Sequence, residues 1–128
     1  MSFAEPRFRM QERDVAGRAT VVEVEGEIHV STAPEFSGML SAAVDGGRTS
    51  LVLDLTSVSF IDSTGLSVLL SASRRVTRAG GRMALVCSNP TVLRLFEITR
   101  LDTTLDIHPE LGSALSVVQA GGSTAGAP

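Results

Sequence analysis

The sequence contains no tryptophan and no tyrosine, a single cysteine, and only 4% aromatic residues. With few stacking platforms and a formal net charge of −3, it lacks the basic, base-stacking surface that nucleic acid requires, so no nucleic-acid partner is expected. One cysteine, Cys87, excludes an internal disulfide and any all-cysteine metal site, and suits a reducing compartment. His29, His108 and Cys87 show no metal-ligand spacing, and Cys87 sits in an apolar run where it reads as a small core residue. No metal or cofactor is expected. Long apolar stretches are also missing. A spanning helix needs about 20 mostly apolar residues, and the best candidate, Leu55 to Ser73, is interrupted by Asp62 and Gly65. The segment Met1 to Arg13 carries Glu5, Arg7, Arg9, Glu12 and Arg13, with no apolar stretch of the roughly 7–15 residues that a secretory signal uses. A cytoplasmic protein that does not touch membranes is the expectation.

What is present is a chain of 128 residues, 43% hydrophobic and 20% charged, which fits one domain with a real core. The expected boundaries are an N-terminal extension over residues 1–6, a domain over 7–118 and a flexible Gly/Ala/Ser tail over 119–128. Phe8 and Met10 alternate with charged neighbours, and Thr20 to Glu25 alternates again after the turn residues Asp14 to Arg18, so an antiparallel hairpin opens the chain. Thr32 and Glu35 have capping-box spacing, Pro34 fits a first helical turn, and Phe36, Met39, Leu40, Ala43 and Val44 form one apolar stripe ended by Gly46-Gly47. Leu51 to Leu55 reads as a strand buried on both faces, extended further by Val58 to Ile61. A second helix starts near Asp62 or Ser63 and runs to about Ala79, with Leu66, Leu69, Leu70, Ser73 and Val76 inward. Its Arg74, Arg75 and Arg78 read as a solvated face. Met83 to Cys87 is another buried strand, Asn89-Pro90 starts a third helix with Val92, Leu95, Phe96 and Thr99 on one side, Leu105 to Ile107 is a short last strand, and Pro109 opens a final helix to about Val118. The order β-β-α-β-α-β-α-β-α predicts an α/β fold. Its mixed sheet has about five strands, an initial antiparallel hairpin then largely parallel pairing, and four helices.

The run Phe60-Ile61-Asp62-Ser63-Thr64-Gly65-Leu66 departs from plain patterning. It joins the carboxyl end of a strand to a helix N-terminus, an edge where α/β sheets hold ligands and where helix dipoles favour anions. One N-cap residue would suffice there, worth about 1 kcal/mol, yet Asp62, Ser63 and Thr64 are consecutive. Three readings of the surplus stand at this point. It is capping and nothing more, a site for a small anion or nucleotide, or a serine nucleophile. The last lacks the G-x-S-x-G pattern, because Ile61 stands where Gly is needed, and it would depend on His29 or His108 as base. No P-loop occurs, since neither Gly46-Gly47 nor Gly80-Gly81 is followed by Lys-Ser/Thr.

Gly26-Glu27-Ile28, then Ser31-Thr32-Ala33-Pro34, Leu53-Asp54-Leu55, Val58 to Leu66, Gly80-Gly81 and Val92-Leu93-Arg94-Leu95-Phe96, in that order, resemble bacterial anti-sigma factor antagonists, which are single STAS domains. The resemblance covers about residues 7–118. It implies a non-enzymatic partner-switching regulator of transcription. The unmodified form binds an anti-sigma factor, a serine protein kinase, and releases the sigma factor. Phosphorylation switches binding off, and a serine phosphatase restores it. Carried onto this chain, Ser63 is the phosphoacceptor, Thr64 a secondary candidate, and His29, Ser31, Thr32, Asp62, Ser63, Thr64, Gly65 and Leu66 form the partner-binding set. One position departs from the pattern: His29 stands where the family usually has Asp, which removes a negative charge beside the phosphoacceptor.

Overall fold

The opening hairpin forms as its alternation requires: β1 (Phe8–Val15) runs antiparallel to β2 (Ala19–Ile28) from Phe8–Gly26 to Val15–Ala19. A computed structural model of the chain describes residues 8–15 and 19–124, the last five of these by backbone alone. The expected extension (1–6), the centre of the expected turn (16–18) and the end of the expected tail (125–128) lie outside the described residues. After the hairpin come α1 (Ala33–Asp45), β3 (Ser50–Ile61), α2 (Ser63–Arg78), β4 (Arg82–Val86), α3 (Pro90–Ile98), a 3-10 turn over Leu101–Thr103, β5 (Ile107–His108) and α4 (Leu111–Thr124). The sheet order is β1-β2-β3-β4-β5, with every pair after the first parallel.

Because β2 to β5 advance across the sheet in one direction, right-handed crossovers place α1, α2 and α3 on the same face. Phe36 and Leu40 of α1, Leu66, Leu69 and Val76 of α2, and Val92 and Phe96 of α3 bury there against Val22, Leu53, Leu55 and Leu85. The other face is covered by α4, whose Ala114 and Val118 pack on Ala19, Val21, Val52, Ala84 and Val86. Adjacent β3 residues Leu51, Val52 and Leu53 are therefore all buried, as a central strand between two helical layers demands.

Several details differ from the sequence expectations. Leu105 is buried in the core but is not in a strand, and β5 is the pair Ile107–His108. The last helix starts at Leu111 and passes Val118 to Thr124, so the stretch expected to be flexible begins as helix. On α2 the inward positions are Gly65, Leu66, Leu69, Ala72 and Val76; Leu70 and Ser73 lie half-buried to one side. Likewise Val92 and Phe96 are the buried residues of α3, while Leu95 is half-buried and the C-cap Thr99 exposed. Arg75 is not merely solvated. It donates to Ser41 Oγ at 2.6 Å and to Asp45 Oδ1 at 2.6 Å, tying α2 to α1.

Cys87, just beyond β4, is buried as expected, and its amide donates to the His108 carbonyl at 2.9 Å. Burial pushes the thiol above its ordinary range, outweighing a backbone hydrogen bond at Asn89 that lowers it. A protonated, buried thiol is a poor nucleophile. At pH 8 a thiol reagent is expected to leave the native protein unlabelled, with labelling tracking unfolding in a urea series; rapid labelling without denaturant would contradict this packing.

Candidate functional site

The site is built where β3 outruns β4. Pairing of β3 with β4 stops at Asp54–Val86, whereas pairing with β2 continues to Ile28–Ile61. Between Glu23–Asp54 and Ile28–Ile61, β2 advances five residues and β3 seven, so β3 carries two extra residues at bulges. The bulges change the inward period: Leu55, Val58 and Ile61 are buried at intervals of three, and Thr56, Ser57, Ser59 and Phe60 are exposed. Phe60 keeps 46% of its surface in solvent.

Ile61 leads into Asp62, whose extended backbone (φ −110°, ψ −172°) starts α2. The Asp62 amide donates to the Ile28 carbonyl at 3.1 Å, closing the junction between β2 and β3. The Asp62 carboxylate oxygen Oδ1 accepts from the amides of Thr64 at 2.9 Å and Gly65 at 3.1 Å. Asp62 is thus the N-cap, and Ser63 is the first helical residue. Gly65 has a steric reason to be glycine: a Cβ there would stand 2.6 Å from Ile61 Cγ1 and 2.7 Å from Ile28 Cγ2. Its missing side chain lets the helix end rest directly on the two strand ends.

The turn from β2 to α1 stands beside this junction. The Thr32 side chain does not cap α1, contrary to the capping-box expectation, because Thr32 has helical dihedrals (φ −103°, ψ −14°) and faces backward. Its hydroxyl donates to the Glu27 carbonyl at 2.8 Å and accepts from the His29 amide at 3.0 Å. His29 Nδ1 accepts from the Ser31 amide at 3.2 Å, which places the ring proton on Nε2, 3.3 Å from Glu27 Oε1. The imidazole also lies 6.4 Å, centroid to centroid, from the ring of Phe60.

Taken together, the fold brings His29, Ser31, Thr32, Asp62, Ser63 and Thr64 to one edge of the sheet. Leu66, 5% exposed, and Gly65 belong to the packing beneath it. Ser63 is exposed, and among the described residues its hydroxyl has no hydrogen-bond partner. Among the described residues no Ser–His pair forms, since both ring nitrogens of His29 face its own turn and His108 Nε2 lies against Asp106. Nor does the helix end offer free amides to an anion at Thr64 and Gly65, because the Asp62 carboxylate already takes them. The exposure of Phe60 and of Val30, 68% exposed, escaped the sequence reading. The signal for Phe60 lies in the period-three burial, which appears only once the bulges are known.

The model of the STAS domain matches residues 9–114. The chain belongs to the STAS domain family. The anti-sigma-B factor antagonist of Bacillus subtilis is 36% identical over 86 residues, 67% of this chain and 78% of the relative. That of Listeria monocytogenes is 36% identical over 84 residues, 66% of this chain and 74% of the relative. An anti-sigma factor antagonist from Mycobacterium paratuberculosis aligns with TM-score 0.82 at 30% identity, covering 91% of this STAS domain and 99% of that chain. The mixed five-stranded sheet with four helices is the architecture this chain shares with that structure. Among the described residues, no helix is long and apolar enough to cross a membrane.

Two substitutions test the helix seat of this STAS domain. Asp62→Ala leaves the Thr64 and Gly65 amides without their acceptor and is expected to cost about 0.5–2 kcal/mol in chemical denaturation. Gly65→Ala forces a methyl group onto Ile28 and Ile61 and is expected to cost about 1–3 kcal/mol, despite the better helix propensity of Ala. A neutral or stabilised Gly65→Ala would show that the helix end is not seated as described.

Proposed function

We propose that this STAS domain is a cytoplasmic, non-enzymatic anti-sigma factor antagonist whose binding is switched at Ser63. In its unmodified form it binds an anti-sigma factor that is a serine protein kinase, and the sigma factor held by that kinase is released. The kinase transfers the γ-phosphoryl group of ATP to Ser63 Oγ, leaving ADP and a phosphoserine, and the association ends. A serine phosphatase returns the chain to its binding form.

The observation that carries this reading is the uncommitted, exposed Ser63 hydroxyl on a helix end whose cap is already complete. A residue needed for the fold would be bonded; Ser63 is held in place and left free. Thr64 is the weaker acceptor, being half-buried and held through its amide by Asp62. Family membership and the names of the relatives support the same reading. The anion-site alternative is disfavoured by the occupied amides, and the hydrolase alternative by the lack, among the described residues, of a base bonded to Ser63.

A phosphate adds about −1.5 to −2 charges at a helix end that tolerates anions, so it changes the surface and leaves the fold. Ser63→Asp is expected to keep the circular dichroism spectrum and melting behaviour of the wild type. Against the purified anti-sigma factor of the same organism it is expected to bind about tenfold or more weakly, while Ser63→Ala binds like wild type. After incubation with that kinase and ATP, mass spectrometry is expected to find the phosphate on Ser63. Equal affinities for the two variants would overturn the assignment.

A further inference from the structure

We infer that the apolar cleft between the end of β3 and α3 receives a large apolar side chain of the anti-sigma factor, with a carboxylate of that partner set against Arg94. The inference rests on the antagonist reading and adds to it a second contact region that Ser63 alone does not supply.

The cleft exists because β4 is short. Beyond Asp54, β3 has no strand on that side among the described residues, and α3 leans across instead. Asn89 Nδ2 donates to the Val58 carbonyl at 3.4 Å, and Val92 and Phe96 sink into the core. The next stripe of α3 finds nothing above it. Phe60, Ile61, Val92, Leu95 and Ile98 therefore wall an open cleft of about 220 Å³, a space suited to one Leu-, Met- or Phe-sized side chain. Among the described residues the large exposed apolar side chains are Val30, Phe60 and Ile98, and two of the three converge here. Singly exposed apolar residues are ordinary; convergent ones around a concavity mark an interaction site.

Charge supplies the second half. Arg13, Arg48 and Arg75 each face an acid; Arg94, like Arg74, Arg78, Arg82 and Arg100, makes no ion pair among the described residues, and of these it is the one that lines the cleft. Glu97 borders the adjoining groove with Arg94 without pairing to it. A partner carboxylate brought beside this guanidinium meets complementary charge next to an apolar anchor, the usual make-up of an interface hot spot. Continuity supplies the third. Phe60 and Ile61 line the cleft and run straight into Asp62-Ser63, so a chain seated in the cleft covers Ser63 as well. A phosphate there would be forced out of water, which gives the modification its leverage.

The test measures dissociation constants for the purified anti-sigma factor of the same organism at two salt concentrations. Ile98→Ser and Arg94→Glu are each expected to weaken binding about tenfold or more, with melting temperatures unchanged because both side chains are exposed. Arg94→Glu is also expected to flatten the salt dependence, and Arg78→Glu, on the far part of α2, to stay within about twofold of wild type. Wild-type binding that depends on Ser63 but is unmoved by Ile98→Ser and Arg94→Glu would overturn the cleft and leave the antagonist reading standing. Absence of wild-type binding would overturn both. A wild-type dimer in sedimentation that Ile98→Ser converts to monomer would assign the cleft to a second copy and overturn the inference.

Discussion

The contact on which the rest depends is the seat of α2 on the ends of β2 and β3. Three features meet there: the bare Cα of Gly65 against Ile28 and Ile61, the Asp62 amide on the Ile28 carbonyl, and the Asp62 carboxylate on two helix amides. Each is local, but together they fix the height and direction of a sixteen-residue helix relative to the sheet. Ser63 inherits its position from them without contributing a bond. The two extra residues of β3 serve the same end, since they bring Val58 to the inner face just ahead of Ile61, where the helix must land. Had β3 kept strict alternation from Leu55, the inward residues would have been Ser57, Ser59 and Ile61. Two of these are polar, and the seat would have lost its apolar approach.

Much of this was legible in the amino-acid order, and the reasons differ by element. The helices announced themselves through apolar stripes and through Asp62, Asn89 and the Gly-Gly stops, because capping chemistry is local. The antiparallel start and largely parallel remainder of the sheet followed from the opening hairpin and from strands alternating with helices. What was not legible depends on partners distant in sequence. The Thr32–Glu35 spacing reads as a capping box, but the Glu27 carbonyl, brought close by the β2 turn, captures the hydroxyl. The inward set of α2 rotated away from Leu70 and Ser73 because Gly65 sets how the helix lies on the sheet. Leu105 has strand character, yet its amide closes the preceding turn on the Leu101 carbonyl at 2.8 Å, and pairing with β4 opens only at Leu85–Ile107. For the site, the block from Asp62 to Gly65 was visible as a surplus of polar groups, whereas the cleft beside it was not. Nothing in Leu95 or Ile98 as letters separates a helix stripe that is covered from one that is not.

The division between committed and uncommitted groups organises the site. Thr32, Asp62 and Asn89 have hydrogen bonds that hold turns and helix ends, so their removal reads as lost stability. Ser63 and Arg94 have no such bonds among the described residues, and Phe60 and Ile98 hold apolar surface in water. That exposure is unfavourable by roughly 25 cal/mol per Å² of apolar area and serves no purpose inside the monomer. His29 belongs to both groups. Its amide, carbonyl and Nδ1 close the turn, while its ring, in place of a carboxylate, stands beside Phe60. The surface around Ser63 is consequently less acidic and more apolar than a carboxylate would make it.

The same division decides how a phosphate acts. At the first position of α2 it meets two opposed local fields. The helix dipole favours it by about 0.3–1 kcal/mol at an exposed site, and the adjacent Asp62 carboxylate repels it with a comparable, solvent-screened energy. Neither contribution approaches the stability of a domain, about 5–15 kcal/mol, so the free protein has no reason to change shape. The balance alters when a partner covers the site. Water then leaves, screening weakens, and a doubly charged group beside a carboxylate faces a desolvation penalty of several kcal/mol. A switch built in this way needs no moving part. Its energy resides in the difference between a wet and a covered surface, which makes the rigidity of the Gly65 seat, rather than any flexibility, the requirement of the proposed switch.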